Sequence, residues 1–185
     1  MEIKGSAVKA TPDFVKEKFG TRYNEWMKSL PEGSRIIIEQ PILATTWYPL
    51  SDAVLIPTQK VADLFFSGNS IKAANEIGRH SADVALKGIY SVFARIGSPQ
   101  FMLNRASNIF AAYYRPSDIK VVESTEKKVV ILLSKFHPND KLEMNRIAGW
   151  IEKTLEITKK PPLRVDLENR IEGTNLSAKI SVIWN

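Results

Sequence analysis

The chain contains no cysteine. Disulfides, thiolate metal sites, iron–sulfur clusters and a cysteine nucleophile are therefore excluded together. Histidine is nearly as scarce. His80 and His137 are the only two and lie far apart in sequence, which leaves little for a metal site or a catalytic triad. No G-x-S-x-G, P-loop or H-E-x-x-H pattern occurs, and the turn around Gly173 lacks the glycine density of a phosphate cradle. The carboxylates are scattered, without a spaced pair that demands acid–base work. Long apolar runs are missing too. The longest, Val129-Val130-Ile131-Leu132-Leu133, is strand length, far below the ~18 residues of a membrane span. Residues 1–10 carry lysines but no apolar core of a signal peptide. Nor is charge of one sign concentrated. Lys and Arg total 26 against 20 Asp and Glu, a net of +6, yet Lys127-Lys128 and Lys159-Lys160 are the only basic doublets. Nucleic-acid binders gather their excess on one element. These absences describe a cytoplasmic, non-enzymatic protein with no metal, no cofactor, no nucleic-acid partner and no membrane span.

What is present reads as one soluble domain over residues 1–185. Hydrophobic residues make up 44% and charged residues 25% of the chain, and at this length roughly 70% of the unfolded surface can be buried. Residues 5–9 suggest a short edge strand. Thr11-Pro12-Asp13 then reads as a helix start, with Thr11 as cap, and Gly20 as its stop. A second helix is expected from Thr21 to Leu30. The isoleucine run within 35–40 is too short for periodicity to decide between strand and helix. Thr45 to Pro49 reads as a tight aromatic connection. A helix follows over 51–66, with a kink or late start at Pro57. Ser70 is read as the cap of the longest helix, extending to Ile96, and another spans Pro99 to Tyr114. After Arg115-Pro116 the apolar period changes from helical to alternating. Residues 119–123 and 128–133 form a hairpin, 139–160 a helix, and 163–168 with 178–184 a last hairpin turning near Gly173. Helices over 1–116 followed by ββαββ over 117–185 define an α+β fold, a helical bundle on a four-stranded antiparallel sheet.

Several features invite a functional reading beside a packing one. Ala74, Gly78, Ala82 and Ala85 form a small-residue stripe that lets another helix come close, either inside the fold or as a homodimer seam. Arg79 and His80 sit beside it; each can serve a ligand, or simply pair with a carboxylate and sit at the surface. Trp47-Tyr48 and Tyr113 lie in aromatic clusters at element ends, which either line a pocket mouth or plug the core.

The segments Lys4-Gly5-Ser6, Phe19-Gly20, Leu30-Pro31, Trp47-Tyr48-Pro49-Leu50, Ile77-Gly78-Arg79, Ser81-Ala82, Gly88-Ile89-Tyr90, Gly97-Ser98-Pro99, Gly149-Trp150 and the final Trp184, taken in order, resemble an uncharacterised bacterial family expanded in myxobacteria. The resemblance spans about residues 4–184. That family is similar in turn to a superfamily of 4-vinyl reductase-type ligand-binding domains, sensor domains of aromatic-responsive activators, haem–nitric oxide binding domains and vesicle-tethering TRAPP subunits. The resemblance implies helices packed on a four-stranded antiparallel sheet, often dimeric through the helices. Two departures stand out. Asn169 and Ser177 flank Gly173 where reductase-type relatives carry cysteines. Tyr90-Ser91-Val92-Phe93-Ala94-Arg95 does not match the Tyr-x-Ser-x-Arg motif of the haem-binding relatives, which argues against haem. The expectation is a sensory domain holding a small apolar or aromatic ligand between helices and sheet. Trp47, Tyr48, Arg79, His80, Tyr90, Phe93 and Tyr113 are its expected lining, and a homodimer or protein partner its output. The alternative is a TRAPP-like interaction scaffold without a ligand.

Overall fold

The computed structural model describes residues 1–87, 98–157 and 164–185. β1 (Glu2–Lys4) is the middle strand of a small antiparallel sheet, flanked by β2 (Trp47–Pro49) and β3 (Tyr114–Arg115). The strand expected over 5–9 is thus earlier and shorter. Gly5 opens the helical turn α1 (Gly5–Val8), because the Gly5 and Ser6 N–H groups donate to the Thr46 and Ala44 carbonyls rather than to a ladder. α2 (Ala10–Phe19) follows directly. Thr11 does not cap it; its side chain is fully buried and its Oγ1 has no hydrogen-bond partner.

A 3₁₀ turn at Gly20–Arg22 leads to α3 (Tyr23–Ser29). The isoleucine run lies in α4 (Glu32–Glu39), where Ser34 and Ile38, four residues apart, share the buried face. The aromatic connection at 45–49 contributes β2. Pro57 explains the next entry: a π-helical turn (Ser51–Leu55) precedes α5 (Ile56–Phe65), with the proline in its first turn, where a missing N–H costs nothing. α6 (Ser70–Lys87) is capped by Asn69, not Ser70, since Asn69 Oδ1 accepts the Lys72 N–H at 3.0 Å. Its expected continuation to Ile96 lies outside the described residues. Ser98 caps α7 (Pro99–Ala111), accepting from the Phe101 N–H.

The period change at Pro116 marks the switch to sheet. β4 (Asp118–Ser124), β5 (Lys128–Phe136), β6 (Arg164–Glu172) and β7 (Asn175–Ile183) pair antiparallel in the order β4-β5-β7-β6. Gly173, at φ +58°, makes the last turn, a conformation that L side chains rarely adopt. α8 (Lys141–Ile157) joins the two hairpins. The α+β fold, a helical part ahead of a four-stranded sheet, is the one expected from the sequence.

Two apolar clusters hold the elements. The larger packs Val129, Ile131 and Leu133 of β5 and Leu176, Ala178, Ile180 and Val182 of β7 against Met144, Ile147 and Ile151 of α8 and Leu103 and Phe110 of α7. The smaller surrounds Trp26 with Phe14, Leu30, Ile38 and Val61. α6 stands between them, giving Ala73 and Ile77 to the smaller and Ala82 and Leu86 to the larger. Its small-residue stripe is therefore internal. A Cβ on Gly78 would overlap the Arg146 carbonyl of α8, and one on Gly149 of α8 would overlap the Asn75 carbonyl of α6. Ala74 and Ala82 are fully buried, and Ala85 is half-buried. Of the readings open for Ala74, Gly78, Ala82 and Ala85, the structure shows packing within the chain, a close helix crossing at Gly78.

Candidate functional site

The close α6–α8 crossing leaves a cavity of about 370 Å³ beside it, a size typical of small-ligand pockets. Ser6, Ala7, Lys9, Ala10 and Asp13 from the N-terminal helices form one side, and Gly78, His80, Ser81, Val84 and Ala85 of α6 form another. Ile109, Phe110, Tyr113 and Tyr114 come from α7 and its exit, and Arg146, Ile147 and Trp150 from α8. No residue of the four-stranded sheet lines it among the described residues. The cavity lies among helices, whereas the expected ligand space lay between helices and sheet. Most of the wall is apolar; Trp150 and Phe110 meet edge to face at 5.1 Å.

Two of its polar lining residues, Tyr114 and Arg146, share one buried carboxylate, Glu143. Glu143 is 1% exposed and Arg146 5%, and their ion pair measures 3.2 Å along one face of α8. Arg146 Nη2 also donates to the Ala7 carbonyl, which ties α8 to α1. The Tyr114 hydroxyl donates to Glu143 at 2.5 Å. Burial, then the neighbouring Glu143 charge, pushes the Tyr114 phenol well above its usual range, so it remains a donor. A buried charge needs such a partner and such hydrogen bonds to be tolerated.

The residues singled out from sequence fall in different places. His80 and Tyr113 stand on the cavity wall. Arg79 does not: it bridges α6 to α8 through Glu152 at 3.3 Å and Glu156 at 2.7 Å. Trp47 and Tyr48 belong to the small sheet and are not among the residues lining the cavity. Trp47 carries the Arg115 guanidinium at 4.3 Å from its ring, and the Tyr48 hydroxyl accepts the Leu43 N–H. Tyr90 and Phe93 lie outside the described residues. Sequence reasoning missed Glu143, Arg146 and Tyr114. A signal existed: Glu143 and Arg146 are spaced i, i+3 and stand four residues before Ile147 and Trp150 of the buried stripe.

His80 is nine-tenths buried. Its Nδ1 lies 3.6 Å from a Glu17 carboxylate oxygen and its ring meets Phe14 edge-on at 5.6 Å. Its Nε2 is buried without a hydrogen-bond partner. Burial depresses the imidazole pKa, against the opposing pull of Glu17.

No family model matches the chain, and no curated protein is similar to it by sequence. Solved structures are similar in fold. The Fe(II) unliganded H-NOX protein from K. algicida superposes with a TM-score of 0.73 at 17% identity, covering 99% of this chain and 97% of that one. A mutant H-NOX from T. tengcongensis gives 0.70 at 12% identity, covering 99% and 98%. An oxygen-binding H-NOX domain related to soluble guanylate cyclases gives 0.68 at 12%, covering 99% and 95%. The chain has an H-NOX-like fold.

Haem is the group this fold implies, and the donor set does not fit it. An axial imidazole must present a bare nitrogen to open volume. His80 Nε2 is sealed within the wall, and His137 spends Nδ1 on the Asn139 N–H in a capping box at the start of the Pro138–Asp140 turn. The Tyr114 hydroxyl is committed to Glu143. Among the described residues no group of three or more His, Asp or Glu side chains is placed to hold a metal ion, and no helix is long and apolar enough to cross a membrane.

Proposed function

We propose that this protein is a non-enzymatic small-molecule-binding domain of the sensory kind, with the helical cavity as its site. The observation that carries the reading is the cavity itself: a mostly apolar wall contributed by the N-terminal helices, α6, α7 and α8, with the buried Arg146 of the Arg146–Glu143 pair on it. The H-NOX-like fold supports it, since one neighbour is described as an oxygen-binding domain, as does the resemblance to 4-vinyl reductase-type and aromatic-responsive sensor domains. Haem is not the occupant. An apolar or aromatic molecule suits the wall, and its contacts with several helices at once are the means by which occupancy alters their packing and a partner surface. The scaffold alternative needs an exposed apolar patch and looked first to the small-residue face of α6, which packs internally at Gly78.

Native mass spectrometry of the purified protein, with thermal shifts across a panel of aromatic and lipid compounds, tests the reading. A retained small molecule, or a ligand that stabilises the fold by about 2.7 kcal/mol at a hundredfold excess over its Kd, is the expected result. A chain that purifies empty and shifts with no compound overturns it.

A further inference from the structure

The four-stranded sheet ends on two unlike edges. β4, at one edge, carries a register shift between Val121 and Glu123, and such a bulge blunts an edge against further pairing. β6, at the other, keeps register with β7 along all nine of its residues. β7 is its one neighbour among the described residues, and Glu168 to Glu172 are exposed. Glu172 and Asn175 close the two-residue Gly173–Thr174 turn, and the Arg170 carbonyl faces β7, where it accepts from the Ser177 hydroxyl. Hydrogen-bonded and open pairs alternate along an antiparallel ladder, so Val165, Leu167, Asn169 and Ile171 turn their N–H and C=O groups to the open edge. A straight edge without a bulge is a template for another strand.

The side chains say which strand. Val165, Leu167 and Asn169 stand across from the core residues Val182, Ile180 and Ala178. Arg164, Asp166, Glu168, Arg170 and Glu172 therefore share the other face. A second β6, running antiparallel about the midpoint Glu168, sets Arg164 against the partner's Glu172 and Asp166 against the partner's Arg170, twice over by symmetry. Sliding it by two residues brings Arg164 to the partner's Arg170 in one direction and Asp166 to the partner's Glu172 in the other. The centred register is the one these charges favour. On the core face it covers the exposed Ile171 with the partner's Val165. The same charges are paired along the strand, Arg164 to Asp166 and Arg170 to Glu172, each at 2.7 Å. Exposed pairs of this kind hold little energy, so exchanging them across an interface costs little. Charge then fixes the register, and the backbone ladder with Ile171 supplies the attraction. We propose that two copies of this chain join β6 to β6 into one continuous antiparallel sheet, an interface independent of the cavity. One opposition is unfavourable: Glu168 meets the partner's Glu168, with Lys179 of β7 beside it.

Sedimentation velocity on the intact chain over a concentration series reads the association directly, and a reversible dimer is expected. Glu168→Gln removes the central repulsion and should tighten it about two- to fivefold. Arg170→Glu sets like charges against the partner's Asp166 and should weaken it about tenfold; adding Asp166→Arg to that chain should restore it. Asn169→Pro removes an N–H that points away from β7, a change an edge strand tolerates, and should abolish the dimer while thermal unfolding stays close to that of the native chain. A chain that remains monomeric throughout overturns the proposal and leaves the edge to a different partner or to solvent. A dimer that Arg170→Glu or a folded Asn169→Pro chain leaves unchanged overturns it as well, as does one that Glu168→Gln loosens. If Asn169→Pro fails to fold, Arg170→Glu with its Asp166→Arg rescue decides.

Discussion

His80 shows how burial sets the behaviour of one side chain. Its pKa is lowered first by burial and then adjusted by Glu17, which raises it, and Lys18, which lowers it. A base whose folded pKa lies below its unfolded value of about 6.5 binds fewer protons when folded. Its contribution is complete above that pH and is lost as pH falls toward the folded value. Urea midpoints measured between about pH 7.5 and pH 5.5 should therefore drop more for the native chain than for His80→Asn. Parallel slopes would show that the imidazole takes its proton equally in both states. The sequence placed His80 beside the stripe of α6, but spacing alone cannot say which nitrogen meets Glu17 and which is sealed. That depends on α2, some sixty residues earlier in the chain.

At the scale of elements, α6 and α8 meet where glycine permits it. Gly78 and Gly149 each face the other helix's backbone carbonyl, and Arg79 bridges both to Glu152 and Glu156. Gly78→Ala forces backbones apart, which costs about 1–3 kcal/mol as overpacking; thermal or urea unfolding checks it. Ala82→Glu buries a charge at a fully buried position, so it should destabilise the fold by more than Gly78→Ala. A variant that keeps native stability but changes the oligomer in light scattering would restore the idea of an outward seam. The helices and hairpins were legible from apolar period and from Pro, Gly and Ser signals, because those are local. Three features were not. The Gly5–Val8 turn, the Asn69 cap and the helical isoleucine run in α4 each depend on which neighbour accepts a hydrogen bond or covers a face.

For the whole molecule, the H-NOX-like fold and the donor set of this chain point to different occupants. Purified protein should show no Soret absorbance, and added haemin should give no spectrum characteristic of histidine ligation. A histidine-type spectrum that His80→Ala abolishes would overturn the fit argument. By itself the sequence determined the classes of chemistry open to the protein and the order of its elements, since composition and periodicity act along the chain. The missing cysteines and scarce histidines already excluded most metal and redox sites. Only the tertiary structure decided that the small-residue stripe faces inward, that the cavity lies among helices, and that Arg146 and Tyr114 on its wall share Glu143. Tyr114 and Glu143 stand twenty-nine residues apart, and Arg146 reaches Ala7 across 139. Such contacts arise from packing distant segments around shared cores, and no local pattern records which of them will touch.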